Sequence, residues 1–191
     1  MDEDSKALVK AAAEVVLQPV AGLVSNTIGA LGGDRLDAYR KANRDRWRAY
    51  YDEEQAKITQ KTPTPDLRMA AEVLGEVQDE GRDELLRIWA KLMASIVDSN
   101  KASKCRREFV DIIEQLEPLD AQVLATLNTN NFLSPSRVEF LATSLKVTLD
   151  QARLAIRNLK RLDLVFEMNG GNPQSNPSVV PLGRQLLEVV S

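Results

Sequence analysis

Four cations near the end of the chain have the spacing of a binding face: Arg153, Arg157, Lys160 and Arg161. Steps of four, three and one place them on one broad side of a helix. Groups so arranged can meet phosphates, each contact adding salt-dependent affinity, which makes these four the candidate nucleic-acid contacts. Asp150 and Asp163 stand at the two ends and dilute the charge. Other chemistry is scarce. The 191 residues include no histidine, so the commonest general base and metal ligand is missing. Ser–His and Cys–His nucleophilic centres are thereby excluded. Carboxylates adjoin at Asp52-Glu53-Glu54 and at Asp79-Glu80, but in charged contexts that do not raise a pKa toward acid–base work. Gly29–Gly33 is glycine-rich, yet it lacks the lysine and the preceding strand of a phosphate-cradling loop. Cys105 lies among Lys104, Arg106 and Arg107, whose charge would lower its pKa. With no base in view, it reads as an inert or redox-sensitive thiol. The expectation is a protein with no catalytic residues, no metal and no cofactor.

Composition sets the frame for these residues. Apolar residues make up 43% and charged residues 28%, as in ordinary globular chains, and the length suits one large domain or two small ones. The net charge is −3, so nucleic-acid binding would need a local basic patch. A single cysteine excludes a disulfide within the chain and points to the cytoplasm. The acidic start, Met1-Asp2-Glu3-Asp4, is unlike a secretory signal. Val15–Gly33 runs 19 residues without a charge, close to membrane-spanning length. Gln18, Pro19, Ser25, Asn26, Thr27 and four glycines interrupt it. It therefore reads as a packed or surface-lying helix rather than a span. If it touches a membrane, the facing residues are Val16, Leu17, Val20, Leu23, Val24 and Ile28.

The elements that must carry these residues are mainly helical. Ser5–Leu31 repeats apolar residues near helical spacing, with Gly32-Gly33 as a stop and Asp34 as a cap for the next helix. Residues 35–60 follow as a charged helix with a thin stripe of Leu36, Tyr39, Trp47 and Tyr50. It is expected to carry i,i+4 ion pairs, or else a basic collar beside a membrane-facing segment. After Thr62-Pro63-Thr64-Pro65, the second proline suits a helix's first turn, and Leu67, Ala71, Leu74 and Val77 point inward. In residues 84–98, Leu85, Trp89, Leu92, Met93 and Ile96 fall on one face, so this helix should centre the core. A polar link at 99–107 leads to Phe109, Ile112, Ile113 and Leu116, and Glu117-Pro118 closes that helix. Short helices then come at 120–127, from Ser134-Pro135 through Val138, Phe140, Leu141 and Leu145, and from Thr148. Thr148 with Gln151 matches a capping box, and Leu149, Ala152, Ile156 and Leu159 face inward. A β run at 164–168, a Gly/Asn/Pro loop at 169–177, a second run at 178–180 and a helix from Pro181 carrying Leu182, Leu186, Leu187 and Val190 complete the chain. That order is the order of a winged helix-turn-helix.

The expected architecture is thus mainly α: an N-terminal helical bundle, then a C-terminal winged-helix-like module with a short β-hairpin. Its segments are 1–61 (long helices), 62–117 (central helical core) and 118–191 (winged-helix-like). From Pro118 to Ser191, Lys and Arg exceed Asp and Glu by one, and the loop at 169–177 has no cation. Such a module is weakly equipped for DNA, and protein contact is the first reading of it.

Three stretches resemble the abortive-infection alpha (Abi-alpha) family of bacterial proteins. They are ELLRIWAKLMASIVD (84–98), FVDIIEQLEPLDAQVLATL (109–127), and NLKRLDLVFE (158–167) with VVPLGRQLLEVV (179–190). LQPVAGLVSNTIG (17–29) before an arginine-rich helix is similar to the family's beginning. The resemblance implies a role in abortive infection, in which a phage-attacked cell stops or dies. It implies no mechanism and no catalytic residues. The ending also resembles winged-helix regulators, where L-x-x-L-x-L precedes the wing. Here Val180-Pro181-Leu182-Gly183 replaces their usual Leu-Thr start. The expected function is non-enzymatic phage defence through protein or membrane interaction, with a winged-helix DNA-binding transcriptional regulator as the alternative. A protein partner is expected. Nucleic acid, peripheral membrane contact and a homo-oligomer stay open, in a cytoplasmic protein with membrane association left open.

Overall fold

The computed structural model describes residues 33–129, 137–167 and 177–191. The Ser5–Leu31 helix, the six membrane-facing candidates from Val16 to Ile28, the Ser134-Pro135 start and residues 169–176 of the loop lie outside them. Within the described residues the fold is mainly helical, with one small antiparallel sheet of two strands.

The first helix, α1 (Gly33–Gln55), starts one residue before the expected cap and stops five short of residue 60. It is the charged helix, but the ion pairs of Arg40 and Arg46 reach off it rather than along its surface. Arg40 Nε lies 2.7 Å from Asp79 and Arg46 Nη1 2.7 Å from Asp83. The reason is packing: Trp47 and Asn43 are buried, and Asn43 donates to the Gln78 carbonyl. That docking brings the acidic turn after the next helix alongside the arginines. This next helix, α2 (Leu67–Asp79), is capped by Asp66, whose side chain accepts from the Met69 N–H. Pro65 therefore sits just ahead of the cap rather than in the first turn. The inward stripe is Met69, Ala70, Val73 and Val77. Of the expected stripe only Val77 is buried, while Ala71 is exposed and Leu67 and Leu74 are half-buried. The helix is rotated by about one position from the sequence reading, because both α1 and α3 pack on it.

Helix α3 (Asp83–Val97) has its expected face buried, and every residue from Leu92 to Val97 besides. Its charged residues, Asp83, Glu84, Arg87 and Lys91, lie in the first two-thirds of the helix, ahead of this buried end; α3 packs against α1, α2, α4 (Glu108–Glu114) and the last helix, α8 (Pro181–Val189). A 3-10 turn at Ala102–Lys104 links α3 to α4. Phe109, Ile112, Ile113 and Leu116 are buried as the spacing predicts.

Pro118 does not only close α4. It opens α5 (Pro118–Thr129), which is longer than the expected 120–127; a first-turn proline has no N–H to leave unpaired. Then come α6 (Arg137–Leu145) and α7 (Leu149–Arg161). Both bonds of the Thr148–Gln151 capping box are present. Ala152, Ile156 and Leu159 are buried, but Leu149 is exposed. Strand β1 (Val165–Glu167) pairs with β2 (Pro177–Val179), Val165 opposite Val179. The order three helices, two strands, helix therefore follows residue 118. Helix α8 seats closely on the hairpin. A Cβ at Gly183 would lie 2.5 Å from the Leu164 carbonyl oxygen. One apolar cluster runs through the whole, from Trp47 to Val189.

Candidate functional site

Polar side chains gather where α4, α5 and α7 meet. Asp120, in the first turn of α5, is only 3% exposed. Its Oδ2 accepts from the Glu117 N–H at 2.9 Å, satisfying a donor that the helix start would leave unpaired. The same oxygen accepts from Asn158 Nδ2 at 2.6 Å. Asn158 also donates to the Gln115 carbonyl at 3.1 Å. Its own Oδ1 accepts from Arg161 Nη2 at 2.8 Å, and Arg161 Nη1 donates to Gln115 Oε1 at 2.9 Å. Burial pushes the Asp120 carboxyl above its ordinary range, and the bonds from Glu117 and Asn158 draw it only partly back. From the other side, Arg82 Nη1 donates to Glu117 at 2.8 Å. Arg82 is itself gripped by Glu80 through Nε, Nη2 and the backbone N–H. Burial of Glu80 raises its carboxyl pKa, but these bonds outweigh it and hold the net value below the ordinary one. The turn before α3 is thereby tied to the start of α5.

Above this network a cleft of about 560 Å³ opens between α5 and α7. Leu119, Leu154 and Ala155 supply its apolar surface, and Glu117, Arg157 and Arg161 lie along its sides. Leu154 is 61% exposed on an otherwise charged helix face. On the other flank of α7 a smaller groove of about 280 Å³ is lined by Val138 and Ile156 with Arg153, Arg157 and Lys160. Arg157 is the ridge between the two hollows.

The four cations named from the sequence are all exposed on α7, but they are not equivalent. Arg161 is held by Gln115 and Asn158. Arg153 makes a loose 3.6 Å pair with Asp150. Arg157 makes no hydrogen bond or ion pair with another described residue, and Lys160 faces the smaller groove. The sequence reading missed Asp120, Asn158, Gln115 and Leu154. A signal existed for two of them: an Asp three residues after Glu117 at a proline-opened helix, and a leucine on the polar side of an amphipathic one.

Cys105 corrects an expectation. Its pKa is pushed up to about 12, chiefly by burial, against a lowering from Lys101. The three flanking cations do not reach it because each turns to a carboxylate: Lys104 to Glu188, Arg106 to Glu108 and Arg107 to Glu72. Its thiol leans toward the Lys101 carbonyl at 3.6 Å, which is the surrounding of an inert thiol. Among the described residues no three Cys, Asp or Glu side chains gather as a metal site requires.

A family model described as abortive infection alpha matches residues 38–180, a span that holds α2 through β2, the Asp120 network and the cleft. No curated protein and no solved structure gives a significant match.

Proposed function

The chain belongs to the abortive infection alpha family, and on that basis we propose that it is a non-enzymatic phage-defence protein that works by contact with a protein partner. Its residues 118–191 read as a winged-helix-type module, supported by the order α5, α6, α7, β1, β2, α8. The observation that carries the reading is the cleft of α5 and α7, where an exposed leucine stands beside a free guanidinium over an apolar floor. Arginine is enriched among the residues that carry protein contacts, and an exposed leucine over an apolar floor adds the apolar surface such contacts bury. The absence of histidine from the sequence favours contact over catalysis. A DNA reader would use the same α7 face. It is disfavoured because Arg161 is already spent on Gln115 and Asn158, and because the residues from Pro118 onward carry only one excess cation. A membrane-directed version rests on residues 15–33, all but the last of which lie outside the described residues; among those described, no helix is long and apolar enough to cross a membrane.

The test is plating of a phage panel on cells with and without the gene. Plaque numbers should fall when the gene is present, and Leu154→Asp should return them toward the empty-cell level. Equal counts across the panel with and without the wild-type gene would overturn the defence reading.

A further inference from the structure

The outermost stripe of α7 reads Asp150, Leu154, Arg157, Arg161, spaced four, three and four residues, on the side away from the buried Ala152, Ile156 and Leu159. Its charge runs in one direction. An acid stands near the N-terminal end, a leucine in the middle and guanidinium groups toward the C-terminal end. Two copies of such a stripe laid parallel would set like charge against like. Laid antiparallel about a two-fold axis beside Leu154, they become complementary. With a rise of about 1.5 Å per residue, Asp150 and Arg157 lie about 5 Å to either side of that axis, midway between the two, and Arg161 lies beyond the pair. Each Asp150 then meets the Arg157 of the other copy. This is the condition a two-fold interface imposes, that residue i meets j while j meets i.

Shape agrees with charge. Leu154 projects from the helix at 61% exposure, and the hollow beside it, floored by Leu119 and Ala155, can accept a leucine. Knob and hole thus lie next to each other on the same face. The side chain of Asp150 is 94% exposed and, among the described residues, holds only the 3.6 Å pair with Arg153, the kind of surface pair that is readily exchanged. Around the hollow, Glu117 is fixed by Arg82, and Arg161 by Gln115 and Asn158, so the surface is ordered before any partner arrives.

We propose that this face pairs with a second copy of the chain, α7 antiparallel to α7, each Leu154 seated in the other's cleft; this rests on reading the cleft as a protein-contact site. Sedimentation equilibrium of the full chain over about 1–100 μM covers the range of modest interfaces. Wild type should dimerise. Leu154→Asp, Asp150→Lys and Arg157→Glu should each weaken the dimer by about tenfold or more, with circular dichroism showing the helices intact. The double variant Asp150→Lys/Arg157→Glu should restore pairing, because it reverses both charges together. A wild type that stays monomeric throughout, or a dimer indifferent to Leu154→Asp, overturns the proposal. The outcomes separate from those of the plaque assay. A monomer whose phage protection is still lost on Leu154→Asp removes the second copy as occupant and keeps the protein contact. A dimer without phage protection keeps the second copy as occupant and overturns the defence reading.

Discussion

Asp120 shows how one buried carboxylate serves two elements. It completes the hydrogen bonding at the start of α5 and fixes Asn158 of α7 through the same oxygen. Asp120→Ala would leave the Glu117 N–H and the Asn158 amide without that acceptor, which costs about 2–4 kcal/mol for two abandoned donors. Asp120→Asn keeps one acceptor oxygen for these donors while it removes the charge and turns the other oxygen into an amide NH2, so the two variants separate loss of the acceptor from loss of ionisation. Burial raises the pKa of this carboxyl above its ordinary 3.8, so the folded chain holds the proton more tightly than the unfolded one. The wild type is then favoured below about that ordinary value and loses stability as pH rises through the folded pKa. Glu80 has the opposite sign, its lowered pKa favouring the folded chain above its ordinary value and giving that up as pH falls. A variant-to-wild-type difference cancels Glu80 and isolates Asp120. Urea unfolding at a series of pH values should therefore show Asp120→Asn gaining on the wild type as pH rises through the acidic range, then holding level toward neutrality. A difference independent of pH would mean that the carboxyl titrates as it does in the unfolded chain.

Glycine substitution separates one helix from another. Gly75 lies inside α2 with open space where a Cβ would go, whereas Gly183 in α8 faces the Leu164 carbonyl oxygen at 2.5 Å and a Val179 methyl at 2.9 Å. Gly75→Ala should stabilise by about 0.5–1 kcal/mol, the ordinary helix gain of alanine over glycine. Gly183→Ala should destabilise by about 1–2 kcal/mol, because a backbone oxygen cannot step aside and overpacking exceeds that gain. The check is the shift of the urea midpoint, which should have opposite signs for the same chemical change. Local code of this kind is also what the sequence makes legible. The Thr148–Gln151 box and the Leu85–Trp89–Ile96 face are short-range patterns, and the structure bears both out. Where an element's orientation is set by distant partners, local pattern fails. The α2 stripe turns toward Met69 and Val73 because α1 and α3 hold it. Arg40 and Arg46 of α1 find their carboxylates, Asp79 and Asp83, across a gap of nearly forty residues. The candidate site divides in the same way. The α7 cations could be placed on one face from their spacing, but the tie of Arg161 to Gln115 depends on a contact between helices.

At the scale of the whole molecule, the closing helix is stitched to the first half of the chain. Buried Ser95 of α3 donates to the Val189 carbonyl at 2.5 Å. Gln185 donates to the Lys104 carbonyl at 3.1 Å, Lys101 to that of Ser191 at 2.9 Å, and Lys104 pairs with Glu188. Leu186, 2% exposed, belongs to the same apolar cluster as Trp47 and Trp89. A continuous core with cross-links at several points should unfold as one unit, even though the sequence divides naturally near residues 61 and 117. The tryptophans make this testable, since both lie in the first half of the chain and report on it by fluorescence. Leu186→Ala removes side-chain volume from the far end and should cost about 2–5 kcal/mol. If the chain is one cooperative unit, the tryptophan transition shifts to lower urea by the full amount and coincides with the loss of helical circular dichroism. If the N-terminal helices are stable alone, tryptophan fluorescence keeps the wild-type midpoint while helicity is lost in two steps. We expect the coincident shift: α8 covers α3, and α3 is the helix that every other N-terminal helix packs against.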